Sequence, residues 1–487
     1  MNKKINVIFV LLLLIISIFI VDKTFQNDTF YAIKTGEAIL KNGIDMIDHF
    51  SIHNIGYCYE HWLDDILIYF IYSRYEFTGL YISNMVFTFI LGLCIYFASV
   101  RLYKNNLVSF LITILSISFM KVFIASRAQM ISYILFVLEI YFIEMLIKKN
   151  NKKYFFYLII DSVLIANIHA AVWPFYFILF LPYIATFIIA NWNMKIKIPN
   201  KIKIKKEYYL NSTFRNLILA FLLCIIVGFI NPNCNQCFTY VLKIFMGNTL
   251  NWIGEHQSLV LYNYFGVLIY LLVIILYLIF TKYKIELQHF FLLFGLIFLM
   301  FQSTRHMAFF LTIGAFSVIN LFSHLKPNNK NDFDKVVLFI TMFCFIFSLF
   351  TFINNFSNKY VSDNYPKKAA SYINKNVDKK KMILYNNYNY GSYLILKDIK
   401  VFIDSRADLY TLPFNKKFDI SDEFYKVSTT GVYKKTFKKY HITHVLIEKN
   451  SILDYAIRND SNYKVIYSDQ KFILYENVQS INKKFYS

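Results

Sequence analysis

Apolar and polar positions along the chain separate into long alternating blocks. Apolar runs of span-forming length recur from Ile5 to Ile353 and are broken by short polar turns. Read in order they are Ile5 to Val21, Leu80 to Val100, Leu107 to Ile124, Met130 to Ile147, Tyr154 to Ile168 and Ala170 to Ala190. Then come Phe214 to Ile230, Leu259 to Thr281, Phe290 to Gln302, Met307 to Phe322 and Val336 to Ile353. Segments of this length and apolarity predict membrane-crossing helices, about eleven in all. One apolar segment, Trp62 to Tyr75, is short and carries Asp64 and Asp65. It predicts a helix lying in the interface or entering halfway. From Asn354 the pattern changes to short strand-like segments: MILYNN, YLIL, KVFID, THVLIE, YKVIYS and FILYE. Helical stretches over Pro366 to Asn376 and Thr430 to Tyr440 lie between them. The expected fold class is a mainly α multi-span membrane protein with a small C-terminal α/β domain. The expected boundary places residues 1–354 in the membrane domain, with an outer loop over 22–79, and residues 355–487 in a soluble domain.

Composition agrees. Of 487 residues, 57% are hydrophobic and 17% charged, against about a quarter charged in soluble chains. The formal charge of +21 comes from lysines in short clusters between apolar runs. That arrangement sets orientation in a membrane and speaks against nucleic acid as a partner. The most basic stretch, Lys195 to Lys206, reads as a topology determinant on the cytoplasmic face. With Lys3 and Lys4 also inside, the expected location is a multi-pass cell membrane protein with its N-terminus cytoplasmic and its C-terminal domain extracytoplasmic. Cys94, Cys224 and Cys344 lie in apolar runs and read as small buried hydrophobes. Cys234 and Cys237 form a lone C-x-x-C without a second pair at zinc-ribbon spacing, which leaves a local disulfide open.

Placed on this topology, the unusual polar residues converge. Asp28, His53, Glu60, His61, Arg127, Gln129, Asn167, His169, Asn231, Glu255, His256, Arg305 and His306 all fall at the predicted outer ends of spans. Polar groups at membrane depth are costly, so a set of them on one rim points to a site. Carboxylates act as general bases or hold a divalent ion. Arginines pair bidentately with phosphate. Together they suit transfer from a phosphate-linked lipid donor to a hydroxyl. They equally suit binding of such a lipid without chemistry. Asp161, Glu139 and Glu144 lie deeper or nearer the inside and are read as interhelical or inner-face groups. Asp404 and Arg406 read as a salt-bridged turn, and Tyr385 to Tyr393 as a packed strand.

The order of motifs resembles the GT-C superfamily of membrane glycosyltransferases. The outer loop opens on Asp28-Thr-Phe-Tyr31-Ala-Ile-Lys-Thr-Gly36-Glu-Ala-Ile39-Leu40-Lys-Asn-Gly43 and closes on Glu60-His61-Trp62-Leu63. Ser126-Arg127-Ala128-Gln129, Asn167-Ile168-His169, Asn231-Pro232 and Ser303-Thr304-Arg305 follow, with Tyr390-Gly391-Ser392-Tyr393-Leu394 and Phe402-Ile403-Asp404-Ser405-Arg406 in the tail. The resemblance departs where the family more often has Arg-Pro and this chain has Arg127-Ala128. It implies an inverting transferase that uses a polyprenyl-phosphate sugar donor and a glycan, lipid or protein acceptor in contact with membrane lipid. By position it implies Asp28 as catalytic base and Glu60 as second carboxylate, beside the donor phosphate or a divalent cation (Mg or Mn). Arg127, Arg305, His169 and His61 become the substrate-binding candidates. The alternative remains a non-enzymatic membrane protein that binds or transports a lipid-linked glycan.

Overall fold

The structure, a computed structural model, describes residues 3–191, 199–246, 254–325, 330–416 and 419–478. Part of the basic stretch, residues 195–198, and the Cys237 side chain lie outside the described residues. The chain divides into two compact units. The first holds Met1–Lys23, Tyr75–Val241 and Leu250–Asn358; the second holds Thr24–Arg74, Leu242–Thr249 and Lys359–Ser487.

The helices of the first unit form where the apolar runs predict them. They are α1 (Lys3–Ile20), the second limb of α3 (Trp62–Tyr103), α4 (Asn106–Phe119), α5 (Gln129–Lys149), α6 (Lys152–Ile168), α7 (Trp173–Asn191), α8 (Asn211–Val227), α10 (Phe265–Phe280), α11 (Leu287–Gln302), α12 (Met307–Thr312), α13 (Gly314–Phe322) and α14 (Lys330–Phe356). The short α2 (Asn27–Asn42) belongs to the second unit, and α9 (Gln236–Met246) runs across the boundary at Val241. Each of the eleven predicted segments is helical. Among the described residues six helices are long and apolar enough to cross a membrane, or seven if α12 and α13, bent by 45°, count as one span. The shortfall from eleven is one of length. Asn6–Ile20, Asn211–Val227 and Leu287–Gln302 are apolar but short, and α6 has 17 residues with Asp161 among them. A 15-residue helix reaches only about 23 Å, against a hydrocarbon core of about 30 Å.

Local capping sets the turns. Asn150 adopts the left-handed conformation (φ 48°) that ends α5, and the Asn151 side chain accepts from Lys153 N–H to start α6. The two helices therefore fold back on each other as a hairpin. Ser162 Oγ donates to Cys224 O (2.9 Å) and accepts from Trp173 Nε1 (3.0 Å), which ties α6, α7 and α8 through one hydroxyl. Phe9 stacks on Phe110 at 4.0 Å and Phe19 on Phe352 at 4.9 Å, packing α1 between α4 and α14. Leu272, Leu276 and Ile279 on α10 and Phe339, Ile346 and Phe350 on α14 are exposed. Apolar faces this extensive are stable only against lipid.

The second unit combines α2, the loop over residues 43–61, the first limb of α3 and the C-terminal segment. Backbone at Glu76 is non-helical (φ 49°, ψ −147°), which separates the two limbs of α3 where the sequence predicts an interfacial helix to end. Two short strands of the first unit, β1 (Ile202–Lys203) and β2 (Ile285–Glu286), pair in parallel. The second unit's sheet contains β3 (Leu384–Asn386), β4 (His444–Glu448), β5 (Tyr463–Ser468) and β6 (Phe472–Asn477) in the order β3-β4-β6-β5. The β3–β4 pair is parallel and the other two are antiparallel.

Three local predictions change. YLIL is helical, within Gly391–Leu396, because Gly391 packs directly against backbone: a Cβ there would stand 2.1 Å from Ile403 O. The Tyr385 to Tyr393 stretch is accordingly a strand only at its start. KVFID is extended but pairs with the loop rather than the sheet. Val401 accepts from Ile52 N–H and donates to Phe50 O, while Phe402 N–H is taken by Asn386 Oδ1. The helix predicted over Thr430 to Tyr440 is interrupted: Ile420–Thr430 stops at Gly431 (φ 70°), and a new helix begins at Lys434. The core of this unit interleaves Ile39, Ile55, Tyr57 and Tyr59 from the loop side with Tyr385, Phe402, Tyr410 and Val445 from the tail. Loop and tail therefore bury their apolar surface in one core.

Candidate functional site

The carboxylates and imidazoles of the loop over residues 28–63 sort into two kinds. Most hold the loop together. Glu37 pairs with Lys34 and with Lys41 (2.5 Å), and Asp45 with His49 (2.5 Å). His53 Nε2 donates to Phe402 O (2.7 Å). Asp48 is buried and accepts from Arg406 Nη1 (2.7 Å). Arg406 is held in turn by Asp404, with Nε and Nη2 at 2.9 and 2.7 Å, and lies over the Phe50 and Tyr57 rings at 5.2 and 5.0 Å. Tyr410 donates its hydroxyl to Asp404. The salt-bridged turn is thus present, with Asp48 as a third member 358 residues away from Arg406. Burial raises the Asp48 carboxyl, but Arg406, Ser51 and the Phe50 N–H together hold it below the usual range.

The second kind gathers around His61. Its Nδ1 lies 3.0 Å from Asp65 Oδ1, and its Nε2 lies 3.1 Å from the Tyr31 hydroxyl and 3.5 Å from Glu60 Oε1. The ring is buried. Burial lowers its pKa, yet the Asp65 and Glu60 carboxylates outweigh burial and leave it well above the ordinary histidine value. Tyr31 is pushed up by burial and then by the charge of Asp28, followed by Asp65 and Glu60. Asp28, Glu60 and Asp65 therefore share one electrostatic neighbourhood centred on Tyr31 and His61.

Local sequence explains this meeting. The helix α2 starts at Asn27, with Gln26 as N-cap. Asp28 thus occupies the first turn, where the helix dipole stabilises a carboxylate. Gly36, on the buried face of α2, lets the helix approach the start of α3: a Cβ there would lie 2.0 Å from Asp65 O. The glycine of the quoted pattern is required by that approach, which brings Tyr31 to His61. Sequence reasoning assigned no site role to Tyr31 or Asp65. The available signal was Asp65 four residues after His61, an i,i+4 pair on one helix face.

The first unit gathers the two arginines. Arg127, in the turn before α5, places Nη1 3.4 Å from Glu255 Oε1. Arg305, in the turn before α12, donates from Nη1 to His256 Nε2 (3.2 Å). Ser303 Oγ donates to Glu255 O, and Thr304 N–H to Gln257 O, so the 254–257 turn is laced onto the 303–305 turn. Partial burial raises the Glu255 carboxyl, but Arg127 and then Arg305 hold it below its usual range. Partial burial and the Arg305 guanidinium push the His256 imidazole down to about 4, so it accepts as the neutral ring. His169 is buried at the end of α6 and shares a hydrogen bond with Ser132 Oγ (2.9 Å). Asn167 caps the neighbouring segment by donating to Ile230 O (2.9 Å).

Asp28, Glu60 and His61 fall in the second compact unit, and Arg127, His169 and Arg305 in the first. Among the described residues no group of three or more His, Cys, Asp or Glu side chains is arranged to hold a metal ion.

No protein-family model matches the chain, and no curated protein matches it in sequence. Solved structures do match it in fold. The oligosaccharyltransferase of Archaeoglobus fulgidus in its apo form aligns over 98% of this chain and 75% of its own, with TM-score 0.64 and 10% identity. The same enzyme tethered to an acceptor peptide containing the NVT sequon aligns over 98% and 74%, with TM-score 0.61 and 10% identity. ArnT from Cupriavidus metallidurans, bound to undecaprenyl phosphate, aligns over 99% of both chains, with TM-score 0.57 and 10% identity. With these likenesses running through nearly its whole length, the chain has the GT-C fold.

Proposed function

We propose that the protein is a membrane glycosyltransferase that moves a sugar from a polyprenyl-phosphate donor to an acceptor hydroxyl at the outer face of the membrane. The fold carries this reading, because both kinds of structural neighbour belong to the GT-C transferases and one is bound to undecaprenyl phosphate. The residues support it in two ways. Asp28 is a partly exposed carboxylate in the first turn of α2, beside a buried Tyr31–His61–Asp65 chain that fixes its surroundings. Arg127 and Arg305 both reach the 254–257 turn, at Glu255 and His256, and guanidinium is the side chain suited to bidentate pairing with phosphate.

In the proposed reaction Asp28 removes the proton from the acceptor hydroxyl as its oxygen attacks the anomeric carbon. The bond from that carbon to the phosphate oxygen breaks with inversion, and polyprenyl phosphate leaves with the electron pair. Glu60, beside His61, is the second carboxylate of the reaction, and Arg127 and Arg305 are candidates for phosphate by residue type alone. A positioned base contributes about 10²–10⁴ in rate. The test is turnover of polyprenyl-phosphate-linked sugar by purified protein, wild type against Asp28→Asn. Loss of about 10²-fold or more with lipid binding retained is expected. Undiminished turnover in the variant removes Asp28 as base. Binding of the lipid by wild type without any turnover replaces the transferase by a lipid-glycan binding protein.

A further inference from the structure

Two carboxyl side chains that the proposed reaction does not use lie deep in the first unit. Glu139 stands in the middle of α5 and Asp161 in the middle of α6. Counted from the Asn150–Asn151 turn, Glu139 lies 11 residues back and Asp161 10 residues on. At about 1.5 Å per residue both are about 15–17 Å from the turn, so the antiparallel hairpin brings them to one level. That level is close to the middle of a hydrocarbon core of about 30 Å. Glu139 is 0% exposed and Asp161 3%. Both carboxyl oxygens of Glu139, and Oδ2 of Asp161, have no hydrogen-bond partner among the described residues.

Among the described residues no lysine, arginine or histidine acts on either carboxyl. The titratable neighbours are Tyr176 and Tyr183 on α7 and Cys224 on α8, with Glu144 further along α5. Helix α12, also packed on α5, carries no titratable side chain. Tyr183 interacts first with Glu144 and only then with Glu139. The donors around Asp161 are committed elsewhere. The Tyr176 hydroxyl donates to Leu158 O (3.0 Å), Cys224 Sγ to the same carbonyl (3.5 Å), and Ser162 Oγ to Cys224 O (2.9 Å). The phenol oxygen beside Asp161 is thus left as an acceptor, which suits the acid and not the carboxylate. An unpaired carboxylate in hydrocarbon surroundings is strongly disfavoured, and the group keeps its proton instead. A contact that merely pairs helices would bond the two side chains to each other or to a neighbouring helix, and neither oxygen of Glu139 does so. We propose that Glu139 and Asp161 form a proton-binding site at the middle of the α5–α6 hairpin, filled by two exchangeable protons at neutral pH. The site stands apart from the proposed transfer reaction and does not depend on it.

The test uses the full-length protein in detergent at pH 7 and reads infrared difference spectra of wild type against Glu139→Gln, Asp161→Asn and the double variant. The acid and its carboxylate absorb in separate regions. Each single variant is expected to lose one carboxylic acid carbonyl band and no carboxylate band, and the double variant to lose two acid bands. In D₂O the wild-type acid bands shift as their protons exchange, which a proton-binding site requires. Where an amide variant does not fold, Glu139→Asp keeps the acid and moves its band, so the same spectral region reports the protonation of this position. Loss of a carboxylate band instead, with sodium in the buffer or without it, shows an ionised group and overturns the proposal. Acid bands that stay at their H₂O positions throughout long incubation in D₂O also overturn it, and leave the two side chains as permanently closed packing groups.

Discussion

Arg406→Ala is the most informative perturbation of the second unit. It removes the cation from between Asp48 and Asp404, which are 1% and 0% exposed, and empties the space between the Phe50 and Tyr57 rings. Removing one partner of a buried pair costs about 3–5 kcal/mol, because the remaining charge is stranded. At about 1.4 kcal/mol per factor of ten, protection of backbone amides that open with this core falls by a factor between about 10² and about 4 × 10³. Hydrogen–deuterium exchange of the intact protein in detergent reads this at peptides covering residues 44–59 and 401–411, with α5 as an internal reference. The pH dependence has a definite sign. In the wild type the Asp48 pKa is depressed by folding. Its contribution is therefore present above the unfolded value of about 3.9 and is lost as pH falls through the lower folded value. In the variant the stranded carboxylate gains by protonation, so the gap from wild type narrows between pH 7 and pH 5. Combining Arg406→Met with Asp48→Asn and Asp404→Asn recovers most of the loss, since no buried charge remains. Unchanged protection in Arg406→Ala, or an equal loss in α5, refutes the reasoning.

Other consequences are equally direct. His61, with its pKa raised by Asp65 and Glu60, keeps both ring N–H groups at pH 7 in ¹⁵N-histidine spectra; its stabilising effect is full below about pH 6.5 and is lost as pH rises through the folded value, and a neutral ring at pH 7 contradicts the assignment. Gly36→Ala drives a Cβ into Asp65 backbone and costs about 1–3 kcal/mol or more, seen as faster exchange in α2, whereas Gly295→Ala, with nothing within 4 Å, leaves stability unchanged or higher. If the C-terminal segment is extracytoplasmic, externally added protease cleaves it in wall-free cells while the membrane stays sealed; full protection reverses the topology.

The site was partly legible. Asp28 and Glu60 stand out because they open and close the first polar stretch between apolar runs, and polar residues are conspicuous against hydrocarbon. Tyr31 and Asp65 did not stand out, since each reads as an ordinary helix residue until Gly36 brings α2 against α3. The arginines stood out as polar residues between apolar runs but not as neighbours of one turn. Their meeting depends on the 254–257 turn, whose Glu255 and His256 look like loop residues in one dimension. Asp404 and Arg406 were legible as an ion pair because they are two residues apart, while Asp48 was not.

What the sequence determined by itself is the set of apolar helices, their order, and the change to an α/β pattern after Asn354. These follow from local hydrophobicity and period, which each segment carries within itself. Tertiary structure decided which surfaces meet. YLIL became a helix because Gly391 lies against Ile403, KVFID left the sheet because the loop over residues 50–52 offered its backbone a partner, and the loop joined the tail's core through Tyr57 and Tyr59. Such choices depend on groups hundreds of residues apart competing for the same hydrogen bonds and buried area, and no local pattern records that competition.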